Sequence, residues 1–440
     1  MNSHILKTFD GGFYMPTMFH IRIESDCIDL KNWQSWDEEA LSAFFHEYIH
    51  FLQDIMTATG LYNIYVNGEY ISYACNYTYN QPKGSIKVPI PILQGPNHVF
   101  DNKQISELTK VWNPKLPNHQ DHPMHINGKL TSTPRTVQLW NSAIQIDEYK
   151  VSSLEGTFTV GAFQIIESMA YLAQKAIYGN QMPYYSPDYP YNVVEQIASH
   201  YIAQFPNSQE YHSFLFGLCH VSLMTSHPAK TLEALLTDAA SQVNLHEDWR
   251  NILNGYYHNT TVIDLDGNIM TITQSLDTIK NNALLALDKQ FPSIDHQELQ
   301  RWYHNAIDEM CSWWQANPML LVDMLSFGPL RTNQIFTTIL KRIGTPLLTN
   351  KLNQSYLYEP DGISIKKMRH ARFLAAGSVI ATFEHGVTEC YLHHYGICNK
   401  WLPCVRCHCK RAPWKRARLI APCPYGHLWY GWKLRMYSPQ

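Results

Sequence analysis

The chain has 440 residues and a mass of 51.0 kDa; its composition is 45% apolar, 13% aromatic and 16% charged. A mean hydropathy of -0.28 and the lack of any apolar run of about 18 residues exclude disordered, collagen-like and membrane-spanning classes. The net charge of -3 hides an asymmetry: residues 391–440 carry nine Lys or Arg and no acid, which leaves 25 basic against 37 acidic side chains, or -12, in residues 1–390.

The first residues lack the apolar core and small-residue cleavage site of a secretory signal, so a cytoplasmic location is expected. Short alternating runs such as Phe19 to Ile23 read as strands. A helix is expected after them, with Ser35 and Glu38 at capping-box spacing. Its apolar positions Leu41, Phe44, Phe45, Tyr48, Leu52, Ile55 and Met56 keep the helical period, and Gly60 serves as a stop. Residues 61–160 read as strands and loops. Tyr62 to Tyr79 is rich in Tyr, Ile and Val, prolines interrupt 82–134, and 143–151 and 157–160 have strand character. From Gly161 helices dominate, at about 161–178, 191–204, 209–225, 229–241, 277–290, 296–315, 318–327, 332–343 and 370–394. The expected class is α+β, a small N-terminal antiparallel sheet with a helical majority behind it. Near residue 396 periodicity gives way to Cys, Pro, Trp and Arg, so we divide the chain into a domain of residues 1–395 and a segment of residues 396–440.

His46, Glu47 and His50 occupy the middle of the first helix. Residues four apart share a helix face, so the two imidazoles can converge on one metal ion while Glu47, one step round, reaches a water on the same ion. Zinc held by three protein ligands keeps a position for water and lowers its pKa to roughly 7. The flanking Phe44, Phe45, Phe51 and Leu52 place these polar groups at the edge of a buried face, where they are costly unless paired. Asp54 extends the same face, as a hydrogen-bond acceptor for a ligating histidine or as a solvated acid near the helix end.

These residues resemble the zincin metallopeptidases, whose hallmark is HExxH on an active-site helix. The resemblance covers some twenty residues and implies His46 and His50 as zinc ligands, Glu47 as general base and a sheet before the motif helix. With an acid four residues after His50, the run also looks like the thermolysin-type form. Gln53 and Met56 exclude HExxHxxGxxH as the ligand set.

For the third ligand we select Glu167, a lone acid on the apolar segment 161–174, where a carboxylate needs a cation. This is similar to the glutamate-ligand branch of the zincins, although Ile166 precedes the glutamate and Met169-Ala170-Tyr171 follow, unlike the thermolysin pattern. Competing acids and histidines are Glu155, Glu389 with His385, and His119, His122 and His125. Oxyanion stabilisation calls for a second electrophile; His220 and His227 are candidates, with His227 also placed to begin a helix before Pro228.

In the tail, Cys404 and Cys407 followed by Cys423 and His427 approximate the two-knuckle spacing of a structural zinc site, with Cys398, His408 and Cys409 as substitutes. Tryptophans interleaved with Lys and Arg offer charge for phosphates and faces for bases, or a surface for an acidic protein. The expected activity is zinc-dependent hydrolysis of peptide bonds in a peptide or protein substrate, without membrane contact. The alternatives are a non-hydrolytic, metal-binding, nucleic-acid-associated factor and a metal-dependent hydrolase of non-peptide amides.

Overall fold

Three short strands, β1 (Leu6–Phe9), β2 (Gly12–Met15) and β3 (His20–Ile23), form an antiparallel meander that leads into helix α1 (Glu38–Met56). The computed structural model describes residues 6–9, 11–26, 28–92, 96–110, 125–154, 156–183, 188–263, 268–292, 294–386, 389–398, 409–410, 412–418 and 423–440. Asp37, rather than Ser35, caps α1: its carboxylate accepts the Ala40 N–H at 2.7 Å. Ser35 instead ends a 3-10 turn, with its hydroxyl on the Asn32 carbonyl. Two acids in the first turn, Glu38 and Glu39, complement the helix dipole.

Gly60 does not stop this helix. α1 ends at Met56, and Thr57 turns the chain directly into α2 (Ala58–Tyr79), its hydroxyl accepting the Gly60 N–H. The segment read as β-rich is therefore a 22-residue helix. Its Tyr, Ile and Val content favours strands, but Leu61, Ile64, Gly68, Ile71, Ala74 and Thr78 are buried at helical spacing, and burial of that face outweighs propensity. Gly60 permits the tight entry: a Cβ there would lie 2.3 Å from the Gln53 carbonyl oxygen and 2.4 Å from Asp54 Cα.

β4 (Gly84–Ile86) and α3 (Asn97–Lys110) follow in a region expected to be loop. β5 (Thr131–Gln138), β6 (Ala143–Ser153) and β7 (Gly156–Val160) form a separate antiparallel sheet, with Pro134 tolerated because β5 is an edge. β7 feeds α4 (Ala162–Tyr178), apolar on nearly every face and buried along most of its length. The helical body continues as α5 (Asp188–Tyr191), α6 (Val193–Ala198), α7 (Ser208–Leu223), α8 (Pro228–Ser241) and α9 (Leu245–Asn259). After the hairpin of β8 (Thr261–Ile263) and β9 (Ile269–Thr271) come α10 (Ile272–Gln290), α11 (Gln297–Ala316), α12 (Leu320–Ser326) and α13 (Gln334–Ile343). α10 packs along α2, where Gly68 approaches Ala286 so closely that a Cβ would sit 2.6 Å from the alanine methyl.

β10 (Leu347–Asn350) then returns to lie parallel to β3, with β11 (Ser355–Tyr356) antiparallel outside it. The N-terminal sheet is thus five-stranded and mixed, in the order β1-β2-β3-β10-β11, and not purely antiparallel. Its last two strands come from more than 300 residues downstream of β3, a pairing no local pattern announces. α14 (Lys367–His385) and α15 (Tyr391–His394) complete the body. The class is α+β with 61% helix, and no helix among the described residues is long and apolar enough to cross a membrane.

Beyond residue 396, α16 (Pro424–Gly431) and β12 (Tyr437–Pro439) pack on the body: β12 pairs with β4, and Trp429 lies against Phe383. Trp414, Trp429 and Trp432 are buried, which removes them as platforms for bases. Gly60→Ala is expected to lower stability by about 1–3 kcal/mol through the backbone clash with Gln53 and Asp54; an unchanged thermal midpoint would show that α2 can leave α1 less steeply.

Candidate metal centre

α4 lies across α1 so that Glu167 meets His46 and His50, and all three side chains are out of solvent, at 0%, 3% and 2% exposure. His46 Nε2 and His50 Nε2 are 3.1 Å apart; Glu167 Oε2 is 3.6 Å from the first and 3.4 Å from the second. The point equidistant from three atoms so spaced lies about 2.0 Å from each, the bonding distance of zinc to imidazole nitrogen and carboxylate oxygen. Among the described residues this is the one group of three or more His, Cys, Asp or Glu whose ligating atoms all lie within 4.8 Å of one another, and it can hold a metal ion.

The protonation of both rings follows from a chain of fixed partners. Gln53 Nε2 donates to the Ile166 carbonyl at 3.0 Å and Gln174 Nε2 to the Ser42 carbonyl at 2.9 Å, so each amide must turn its oxygen the other way. Those oxygens meet His50 Nδ1 at 2.8 Å and His46 Nδ1 at 2.9 Å. An amide oxygen only accepts, so both Nδ1 atoms carry the hydrogen and both Nε2 lone pairs face the cluster. Asp54 has no part in this orientation of His50: its Oδ2 accepts from the Tyr14 hydroxyl at 2.9 Å and from the Thr17 N–H at 2.7 Å.

Two lone pairs and a carboxylate converging in the core need a positive charge between them. Without a metal ion a proton supplies it. Burial opposes protonation of His50, but the Glu167 carboxylate overrides it, with Glu47 and Gln53 adding, and raises His50 to about 9. Burial likewise works against charge on Glu167, yet His50 and His46 hold it at about 2. His46 is lowered, chiefly by burial. Glu47 sits beside the cluster at 3% exposure, its Oε2 lacking a hydrogen-bond partner, and burial pushes it up to about 8. A carboxyl in that state is poised to take and return a proton near neutrality.

A cavity of about 610 Å³ reaches the cluster at His50, alone of the three donors, passing Gln53 and Ile166. Tyr14, Asp54, Lys103, Glu384 and His385 line it further out, with Lys103 paired to Glu384. Tyr14 lies nearly parallel to His50 at 6.4 Å between ring centroids, and burial with the Asp54 charge keeps its hydroxyl protonated. Sequence reasoning missed Tyr14, Gln53 and Gln174 as site residues: Tyr14 sits on a strand that showed only alternation, and buried glutamines were the one available signal.

The other candidates lie elsewhere. His220 is buried in α7 against the Tyr257 hydroxyl, 2.9 Å from its Nδ1, and burial lowers it to about 3. His227 caps α8, accepting the Lys230 N–H on Nδ1, and donates through Nε2 to the Asp147 carbonyl at 2.8 Å. Neither lines the cavity. Glu389 pairs with His393 and His394, and His125 is exposed. Glu155, His119, His122, Cys404, Cys407 and His408 fall outside the described residues.

Comparison with protein families, curated proteins and solved structures gave no match.

Replacing Gln53 by Leu frees the His50 ring and is expected to weaken zinc binding about 10–100-fold in chelator competition; affinity equal to wild type would remove Gln53 from the site. Zinc added to the stripped protein near neutrality is expected to release about one proton per ion, from His50. Calorimetry in buffers of different ionisation enthalpy measures this, and a binding enthalpy that does not change with the buffer would show that His50 takes up zinc without giving up a proton.

Proposed function

We propose that this protein is a zinc-dependent peptidase of zincin type, with His46, His50 and Glu167 as ligands and Glu47 as general base. The observation that carries the reading is the buried triangle of donors at 3.1, 3.4 and 3.6 Å, open to a cavity at one vertex, with an unpaired carboxylate oxygen beside it. Zinc in that triangle would polarise a substrate carbonyl and bring the pKa of a water to about 7. The remaining work belongs to the chain. Glu47 accepts the proton lost by the attacking water, holds it in a buried carboxyl and delivers it to the departing amine. Gln53 and Gln174 keep both imidazoles in the Nδ1–H form throughout. Tyr14, a neutral phenol on the cavity wall, donates its one hydroxyl hydrogen to Asp54, so it would serve the oxygen on which negative charge develops, the role first considered for His220 or His227, only by exchanging that bond on substrate binding.

The cavity also bears on the substrate. Three of the four central side chains, His46, Glu47 and Glu167, do not line it, so a substrate approaches past His50 as an extended segment or a chain end. Apolar walls from Ile90, Ile92, Val66 and Phe163 with interspersed amides suit a peptide better than a small polar amide.

Glu47→Gln is expected to retain one zinc at the helix centre while turnover of a mixed peptide library falls about 10²–10⁴-fold. Retention of both zinc and activity would remove Glu47 as the base. Cleavage of simple amides with no action on any peptide would favour the non-peptide hydrolase.

A further inference from the structure

Two long stretches of the chain hold no Asp or Glu, residues 70–100 and residues 391–440. Folding brings them together: β12 lies parallel to β4, with Tyr437 opposite Gly84 and Pro439 opposite Ile86. Lys83 and Lys87 flank β4, Lys433 and Arg435 precede β12, and all four are exposed. Elsewhere cations face acids, as Arg22 does Glu24, Lys175 does Glu195 and Arg331 does Glu38. These four belong to no ion pair among the described residues. A surface of one sign, left without counter-charge, attracts an anionic partner.

The backbone among these cations is open on one side. The Gly84 N–H donates to the Met436 carbonyl at 3.2 Å and the Val88 N–H to the Gln440 carbonyl at 3.1 Å, while the Ile86 carbonyl accepts the Gln440 N–H at 2.9 Å. Successive residues of a strand turn their peptide groups to opposite sides, so those of Ser85 and Lys87 face away from β12. The sheet has only these two strands, and among the described residues no backbone group meets Ser85 or Lys87 on that side. An open edge is a template for a further strand. Lysines beside it repel a basic strand and favour an acidic one. Tyr430 and Met436 close by are 56% and 57% exposed, with the Arg435 guanidinium 5.6 Å from the Tyr430 ring centre, an apolar and cationic border for the side chains of such a strand.

We propose that the free edge of β4, bordered by Lys83, Lys87, Lys433 and Arg435, docks an acidic peptide segment that joins the sheet as an extended third strand. Backbone hydrogen bonds to Ser85 and Lys87 hold the segment, and its carboxylates meet the four cations. A nucleic acid suits the surface less well. It has no peptide groups for the edge, and Trp414, Trp429 and Trp432 are buried, away from any base. The docking goes beyond the peptidase reading and requires neither the metal nor Glu47.

The test is fluorescence anisotropy on the full chain carrying Glu47→Gln, which suppresses turnover, with a labelled peptide of alternating Glu and Val about six residues long, the usual length of a strand. Saturable binding is expected at low ionic strength, weakening in about 1 M salt, where the screening length is about 3 Å. The same peptide N-methylated at every residue keeps its charge but cannot donate to the edge, and should bind about tenfold more weakly or worse. Lys87→Glu with Arg435→Glu should weaken the unmethylated peptide by more than about tenfold and, both side chains being exposed, leave the thermal midpoint close to that of the parent chain. Absence of binding, equal affinity for the N-methylated peptide, or tighter binding of a single-stranded oligonucleotide of the same charge overturns the proposal. Self-association of the chain that the double charge reversal abolishes would overturn it as well, by giving the edge to a second copy.

Discussion

Two imidazole lone pairs and one carboxylate oxygen face each other across the α1–α4 contact, in the core, with only acceptors pointing inward. Such an arrangement is repulsive unless a cation stands between the atoms, and burial deepens the demand because water cannot screen it. Much of the local architecture serves to keep it in place. Gln53 and Gln174 each spend one amide group on a backbone carbonyl and the other on an imidazole, so neither ring can turn its lone pair away. Gly60 brings α2 down on the very carbonyl of Gln53, fixing the end of the helix that carries the cluster.

The choice of glutamine has an electrostatic consequence. A carboxylate behind each histidine would add negative charge to a centre that already contains Glu167 and Glu47; a neutral amide supplies the same orientation without it. The site then depends on Glu167 for its anionic character, which is why His50 and Glu167 move so far in opposite directions from their ordinary values. Glu47 stands beside this centre, buried and with its Oε2 without a hydrogen-bond partner, and burial raises its carboxyl.

Of the segment 396–440, basic in composition, α16 packs against α14 and β12 pairs with β4, with Trp414, Trp429 and Trp432 inside.

Features that depend on one helix or strand were legible in the residues. His46 and His50 share a face, with Glu47 one step round, because the α-helix repeats every 3.6 residues, and Glu167 stood out as the single acid of an apolar helix. Strands β6 and β7 and most helices after Gly161 followed their periodicity. Features set by distant partners were not. α2 reads as β-rich by residue preference, and only its packing on α10, some 200 residues away, makes it a helix. The register of β10 beside β3 and the approach of Gln53 to Ile166 and of His46 to Gln174 close over more than 100 residues. The sequence by itself determined that two histidines would share a helix face with a glutamate one step round, because that spacing is local geometry. Only the tertiary structure decided which carboxylate joins them and which nitrogen each ring presents, because those are set by backbone carbonyls and side chains that folding brings together.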